Sequence, residues 1–337
     1  MTRLAVVLFN LGGPDRPEAV QPFLFNLFND PAIISLPQPL RWLLARLISW
    51  RRAPVAQEIY RQLGGGSPLL PNTKAQAVSL EQALGDIGTV KVFIAMRYWQ
   101  PLSDETAAAV KNFAPDEIVL LPLYPQFSTT TTASSLKQWS ISARHAGLRT
   151  GSCTVCCYPS DEGFVEASAT LVRPAYERAA AAGRPRLLFT AHGLPQRVVD
   201  RGDPYQKHVE ATAAAIVDRL AIDGLDWRIS YQSRVGPLEW LKPYTEDELR
   251  RAGSDRVPLV VAPIAFVSEH SETLVELDIT YREEALKLGV PRYERVPTVG
   301  THPAFIDGLA KRVRAALEPA DRPQLCGSST RCIVAAA

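Results

Sequence analysis

Short apolar runs alternate along this chain with longer stretches of helical periodicity, each run closing in Gly, Pro or hydroxyl residues. That rhythm predicts an α/β fold built on mainly parallel sheets. It also repeats. AVVLFNLGGP (5–14) is echoed by RLLFTAHGLP (186–195), and KVFIAMRYWQPLSDETAAAV (91–110) by WRISYQSRVGPLEWLKPYTEDEL (227–249). EIVLLPLYPQFSTTTTASSL (117–136) is echoed by PLVVAPIAFVSEHSETLVEL (258–277). Same order and similar spacing indicate a duplicated half. Two similar domains are expected, 1–150 and 151–315, followed by a tail at 316–337. Face to face, such domains make a cleft lined by strand ends.

Length and composition agree. At 337 residues the chain is too long for one ordinary core, and 46% hydrophobic with 21% charged residues is typical of a globular protein. A formal charge of +2 argues against a nucleic-acid binder, which would concentrate basic residues on one face. The apolar run at 4–11 is cut short by Gly-Gly-Pro, so it reads as a first strand and turn rather than a signal peptide. No stretch approaches the ~20 apolar residues of a spanning helix. The expectation is an intracellular protein.

Candidate chemistry lies where the echo breaks. His192 stands where the first half has Leu11 or Gly12, at the carboxyl end of a strand, the position at which open α/β sheets bind ligands. Glu269, His270 and Glu272 replace plain Ser and Thr at a second strand end. One reading is an ordinary helix start capped by Ser268 or Ser271. The other is a site, since imidazole is a metal ligand or a base near physiological pH. At 100° per residue, Glu269, Glu272, Glu276 and Glu283 fall within about 60° on one helix face. Like charges at that spacing do not stabilise a helix, so the stripe reads as a solvated face or a wet path for protons and cations.

Weaker signals remain. YRQLGGGSPLL (60–70) has three glycines but no Lys after them, so it is no nucleotide P-loop. STTTTASSL (128–136) suits a helix N-terminus. In PLRWLLARLISWRR (39–52), Leu40, Leu43, Leu44, Leu47 and Ile48 share helical spacing. That predicts a core-facing helix or one lying at a membrane surface. The five cysteines fall in two groups, Cys153, Cys156 and Cys157, then Cys326 and Cys332. In an intracellular chain such groups point to metal or redox chemistry.

Taken together, LFNLGGPD, YRQLGGGSPL, RYWQP, LPLYPQFSTTT, TAHGLPQRVVDRGDPY, YQSRVGPLEWLKP and FVSEHSETLVELD resemble the ferrochelatases across about residues 4–312. The resemblance implies two Rossmann-like, chelatase-type domains with parallel sheets and a porphyrin held in the cleft between them. It implies insertion of Fe2+ into protoporphyrin IX to give protohaem, the last step of haem synthesis. His192 falls on the family's metal-site and catalytic histidine and Glu272 on its catalytic glutamate, with His270 and Glu276 close behind. Leu11, Arg52, Tyr60, Ser67, Arg97, Tyr98, Trp240 and Phe266 fall on porphyrin-facing positions. The helix at 39–52 falls on the lip that touches the membrane, which implies a cytoplasmic enzyme peripheral on the inner membrane. Some members hold a 2Fe–2S cluster on four thiolates. Here four of Cys153, Cys156, Cys157, Cys326 and Cys332 would supply them, in a two-plus-two arrangement that departs from the family's usual tail. Coproporphyrin III is the alternative substrate, and a non-catalytic porphyrin or haem carrier the alternative function. His192 together with Glu272 argues against a carrier, which needs neither base nor acidic path. No nucleic-acid partner is expected, and the oligomeric state is not legible.

Overall fold

Strand β1 (Arg3–Asn10) is buried from its second residue to its last, as a central strand of a parallel sheet should be. In the computed structural model, which describes residues 2–318, β1 lies between β2 (Thr89–Met96) and β3 (Glu117–Pro122). β4 (Ser152–Thr154) completes the parallel order β2-β1-β3-β4. A second parallel sheet comprises β5 (Arg186–His192), β6 (Asp226–Gln232), β7 (Leu259–Pro263) and β8 (Tyr293–Arg295), in the order β6-β5-β7-β8. The two orders are the same.

The echo extends to register. Ala5 pairs with Ile118 and Phe9 with Pro122, while Arg186 pairs with Leu259 and Thr190 with Pro263. These are the pairs that the aligned sequences place opposite one another. Beyond the central strands, Met96 N donates to Pro101 O at 2.7 Å and Tyr231 N to Pro243 O at 2.9 Å. Each proline leads into an 11-residue helix, Ser103–Phe113 or Thr245–Asp255. The second half carries the longer loop before its proline, and Trp240 lies on it.

Alternation along the strands builds the cores. In β5, Leu187, Phe189 and Ala191 pack into one apolar cluster, while Leu188 points into the cluster on the other face of its sheet. Burying each large apolar side chain contributes about 1.5–3 kcal/mol. Asp161 caps the helix Glu162–Ala180 by accepting from Phe164 N at 3.1 Å. Gly163, in the first turn, lies against Ala304 and Gly308, whose backbone atoms a Cβ would strike.

The chain divides into two compact units, one ending at Tyr158 and resuming at Leu309, the other spanning Pro159–Gly308. The division expected at 150/151 therefore shifts. Cys153, Cys156 and Cys157 belong with the first unit, and the helix Pro303–Leu317 starts in the second unit and ends in the first. Nothing in local composition marks that return.

The lip segment also differs from the core-facing alternative. The helix Leu40–Arg61 packs through Ala45, Ser49, Ala53 and Tyr60, whereas Leu40, Leu43, Leu47 and Trp50 are exposed, Trp50 at 63%. Small residues allow close packing on the inner face, with Leu44 and Ile48 half-buried beside them and Leu40, Leu43 and Leu47 left to the surface. Among the described residues no helix is long and apolar enough to cross a membrane.

Candidate active site

β5 delivers His192 to the end of the second sheet, in register with Gln232 of β6. Two contacts fix the imidazole's neighbourhood. Tyr205 Oη donates to His192 O at 3.0 Å, and His192 Nδ1 lies 2.6 Å from Gly193 O, leaving Nε2 to face Glu272. Gly193 is needed here: a Cβ would sit 3.2 Å from the Trp240 ring and 3.1 Å from Gln232 O. Its absence lets the indole approach the imidazole, with ring centroids 6.3 Å apart.

β7, paired with β5 in the same sheet, supplies the second strand end. The segment after it places Phe266 against His270, ring centroids 4.6 Å apart, and then enters a nine-residue π-helix, Glu272–Thr280. Ser271, at its N-cap, makes no capping bond. Instead Thr273 Oγ1 accepts from His270 N at 3.0 Å. His270 is buried and its Nδ1 lies 3.2 Å from Ser268 O. The cap expected of Ser271 is thus not what stands here.

Three of the expected residues converge. Glu272 Oε2 lies 4.0 Å from His192 Nε2 and 3.8 Å from His270 Nε2, too far for hydrogen bonds. This oxygen is buried and has no hydrogen-bond partner among the described residues. Burial pushes the Glu272 carboxyl up, but the two imidazoles outweigh it and hold the pKa down at about 2. Glu276 sits behind, its Oε2 accepting from Ser233 Oγ at 2.6 Å and Gln232 Nε2 at 3.2 Å, its Oε1 from Tyr281 Oη at 3.0 Å. Burial and the neighbouring Glu272 carboxylate push Glu276 above the usual carboxylate range, against the Ser233 and Tyr281 hydrogen bonds. Two carboxyls with pKa values driven apart are the arrangement of a standing base beside a group that exchanges protons.

The wider acidic stripe does not form. Glu269 turns aside to accept from Arg295 Nη1 at 2.8 Å and Thr298 N at 3.0 Å, and Glu283 is exposed beside Lys287. The 100° spacing assumed an α-helix, whereas this segment winds with i→i+5 bonds.

The porphyrin-facing positions expected in the first unit fall into two kinds. Arg52 is exposed and Leu11, Ser67 and Arg97 are half-buried. Tyr60 and Tyr98 instead lie inside an apolar cluster with Phe23 and Leu24, only 8% and 1% exposed. Sequence reading missed the residue that organises this region. Buried Asp30 accepts from Ser134 Oγ at 2.6 Å, Arg97 Nη2 at 2.7 Å and Tyr98 Oη at 2.8 Å, all on one oxygen. Its other oxygen accepts from Ala32 N at 2.8 Å. In sequence Asp30 looks like a turn residue before Pro31, and no local signal marks it as a hub.

Cys156 and Cys157 are buried with their Sγ atoms 3.2 Å apart, packed with Phe127, and Cys153 is half-buried on β4. Cys326 and Cys332 lie outside the described residues. Among the described residues no group of three or more His, Cys, Asp or Glu side chains is disposed to hold a metal ion.

The fold is similar to two solved Bacillus chelatases. SirB from Bacillus subtilis with Fe3+ has a TM-score of 0.54 at 12% identity, covering 95% of this chain and 98% of that one. The sirohydrochlorin chelatase SirB from Bacillus subtilis subspecies spizizenii, in complex with cobalt, has a TM-score of 0.50 at 12% identity, covering 94% and 95%. At that identity the likeness concerns the fold, two chelatase-type domains. Sequence relatives are much nearer. The ferrochelatase of Caulobacter vibrioides is 55% identical, covering 98% of this chain and 95% of the relative. That of Phenylobacterium zucineum is 58% identical, covering 94% and 92%. The sequence model of the family described as Ferrochelatase matches residues 3–317. A chain alike over nearly its whole length, with an imidazole–carboxylate–imidazole constellation at its strand ends, belongs to the ferrochelatase family, the metal chelatases that insert Fe2+ into porphyrin in haem biosynthesis.

Proposed function

We propose that this ferrochelatase takes protoporphyrin IX, with His192 and Glu272 as its catalytic and metal-handling residues and His270 and Glu276 assisting. Insertion exchanges one Fe2+ for the two pyrrole N–H protons of the macrocycle, so the site must accept two protons and offer iron a temporary ligand. The observation that carries the reading is the Glu272 oxygen, buried without a hydrogen bond and facing two imidazole nitrogens at 4.0 and 3.8 Å. The imidazole of His192 suits proton acceptance or the hand-over of iron. Glu272, held ionised, is the standing negative charge for the cation, and Glu276 receives and releases the proton that follows.

Trp240 beside His192 and Phe266 beside His270 are apolar faces of the kind a macrocycle needs. Leu11, Arg52, Ser67 and Arg97 are the proposed contacts of the first unit, with Tyr60 and Tyr98 in the buried cluster that supports them. The exposed leucines and Trp50 of the helix Leu40–Arg61, interspersed with Arg41, Arg46, Arg51 and Arg52, support peripheral contact with an anionic membrane surface. That favours the sparingly soluble protoporphyrin over coproporphyrin III, in a cytoplasmic enzyme peripheral on the inner membrane.

A 2Fe–2S cluster completes the proposal. The adjacent sulfurs of Cys156 and Cys157 in an apolar nest, with Cys153 three residues before Cys156, support half of the ligand set such a cluster requires. The other half falls to Cys326 and Cys332.

Parallel anaerobic assays with Fe2+ and either porphyrin test the reading, and the rate should favour protoporphyrin IX. His192→Ala and Glu272→Gln should each lower kcat by ~10²–10⁴-fold, the cost of a lost acid–base group, while porphyrin binding persists. Near-normal turnover in either variant would sink the assignment.

A further inference from the structure

A π-helix of nine residues needs an explanation, because i→i+5 winding ordinarily occurs as single-turn bulges. Its surroundings supply one. Arg295, at the end of β8 and only 10% exposed, reaches two carboxylates with one guanidinium. Its Nη1 donates to Glu269 Oε1 at 2.8 Å, and its Nε is ion-paired with Asp278 Oδ2 at 3.1 Å without a hydrogen bond. Glu269 precedes the π-helix and Asp278 lies near its end, so the fork grips both ends of the span that carries Glu272 and Glu276. Asp278 is held a second time by Arg282, whose Nη2 donates to Oδ1 at 2.6 Å and whose Nη1 donates to Tyr293 O at 2.9 Å. Glu269 is held a second time by Thr298 N at 3.0 Å.

A rigid fork discriminates between windings. A π-helix fits more residues into each turn than an α-helix, so the same residues occupy a shorter length. Rewinding 272–280 to i→i+4 bonds would carry Asp278 away from Glu269 along the axis and turn Glu276 off its present bearing. The guanidinium cannot follow, because its nitrogens stand at a fixed separation in one plane. We propose that Arg295 is a positioning residue for metal insertion: by bridging Glu269 and Asp278 it selects the π-winding and thereby sets Glu276 against Glu272. The inference rests on the reading of those two glutamates as working groups.

The test separates winding from turnover. Arg295→Lys keeps the charge but cannot bridge both carboxylates. Its crystal structure should show i→i+4 bonds returning within 272–280. Its kcat for Zn2+ insertion into protoporphyrin IX should fall on the order of 10²-fold, the cost of a misplacement of about 1 Å, with KM for the porphyrin nearly unchanged. Glu269→Gln and Asp278→Asn each leave one arm and should give intermediate losses that are non-additive when combined. They serve if Arg295→Lys does not fold. An unchanged π-winding in the folded variants overturns the proposal, whatever the rate. Restored α-winding with full turnover would instead uphold the clamp and overturn the reading of Glu272 and Glu276.

Discussion

Three residues separate Glu272 from Glu276, and their environments drive them in opposite directions. Glu272 is held ionised at about 2 by two imidazoles. Glu276 is pushed up by burial and by Glu272 itself. A carboxyl whose folded-state pKa is raised favours folding when protonated and opposes it when ionised. Glu276→Gln, neutral at every pH, should therefore melt at a higher temperature than the parent at pH 8. The gap should close as pH falls below the ordinary carboxylate range of about 4. Melting curves over that interval check it, and a gap that widens towards acid would reverse the sign assigned to Glu276. The same variant should retain more turnover than Glu272→Gln, because solvent and the Ser233 and Tyr281 hydroxyls remain to pass a proton on. Sequence singled out Glu272 because it interrupts the echo with charge, and Glu276 through the acidic spacing and the family resemblance. It did not identify Asp30, whose importance lies in three donors that arrive from distant parts of the chain.

Elements were legible where their period was ordinary. The strands and their order of appearance follow from apolar runs and turn residues, and the paired registers bear out the duplication. Two elements misled for physical reasons. The π-helix has no signature in a 3.6-residue period, so the acidic stripe drawn on an α-helical wheel comes apart into Glu269, the Glu272–Glu276 pair and Glu283. The helix Leu40–Arg61 packs by its small residues, an arrangement that an apolar-stripe reading inverts. Its exposed face can be tested directly. Leu43→Ser with Trp50→Ser removes two side chains that are 58% and 63% exposed, each worth about 1.5–3 kcal/mol if fully buried. Binding to vesicles containing anionic lipid should weaken at least about tenfold, the equivalent of 1.4 kcal/mol, while turnover in detergent stays unchanged. Equal vesicle binding by parent and variant would remove the helix from any membrane role.

At the scale of the whole chain, the cysteines carry the remaining prediction. Anaerobically purified protein should be reddish-brown, with roughly two non-haem irons and two acid-labile sulfides per chain, as one 2Fe–2S cluster requires. Cys326→Ser and Cys332→Ser should each bleach it, and one of Cys156 and Cys157 should be dispensable. Colourless, sulfide-free and fully active protein would leave those thiols without a cofactor. The domain boundary was the least legible feature, because the first unit is closed by residues that sequence assigns to the second. Leu309, Val313 and Ala316 of the last helix are buried, and Arg314 Nη2 donates to Ala83 O at 2.9 Å and to Asp86 Oδ1 at 2.7 Å. The consequence concerns the ribosome. Domains usually mature in the order in which they are synthesised, but here the unit begun first is finished last. The stretch from Pro159 to Gly308 has emerged in full while the first unit still waits for the residues from Leu309 onwards. A chain that stalls before residue 309 would expose that unfinished core, so the hazard of premature termination falls on the half that was made first.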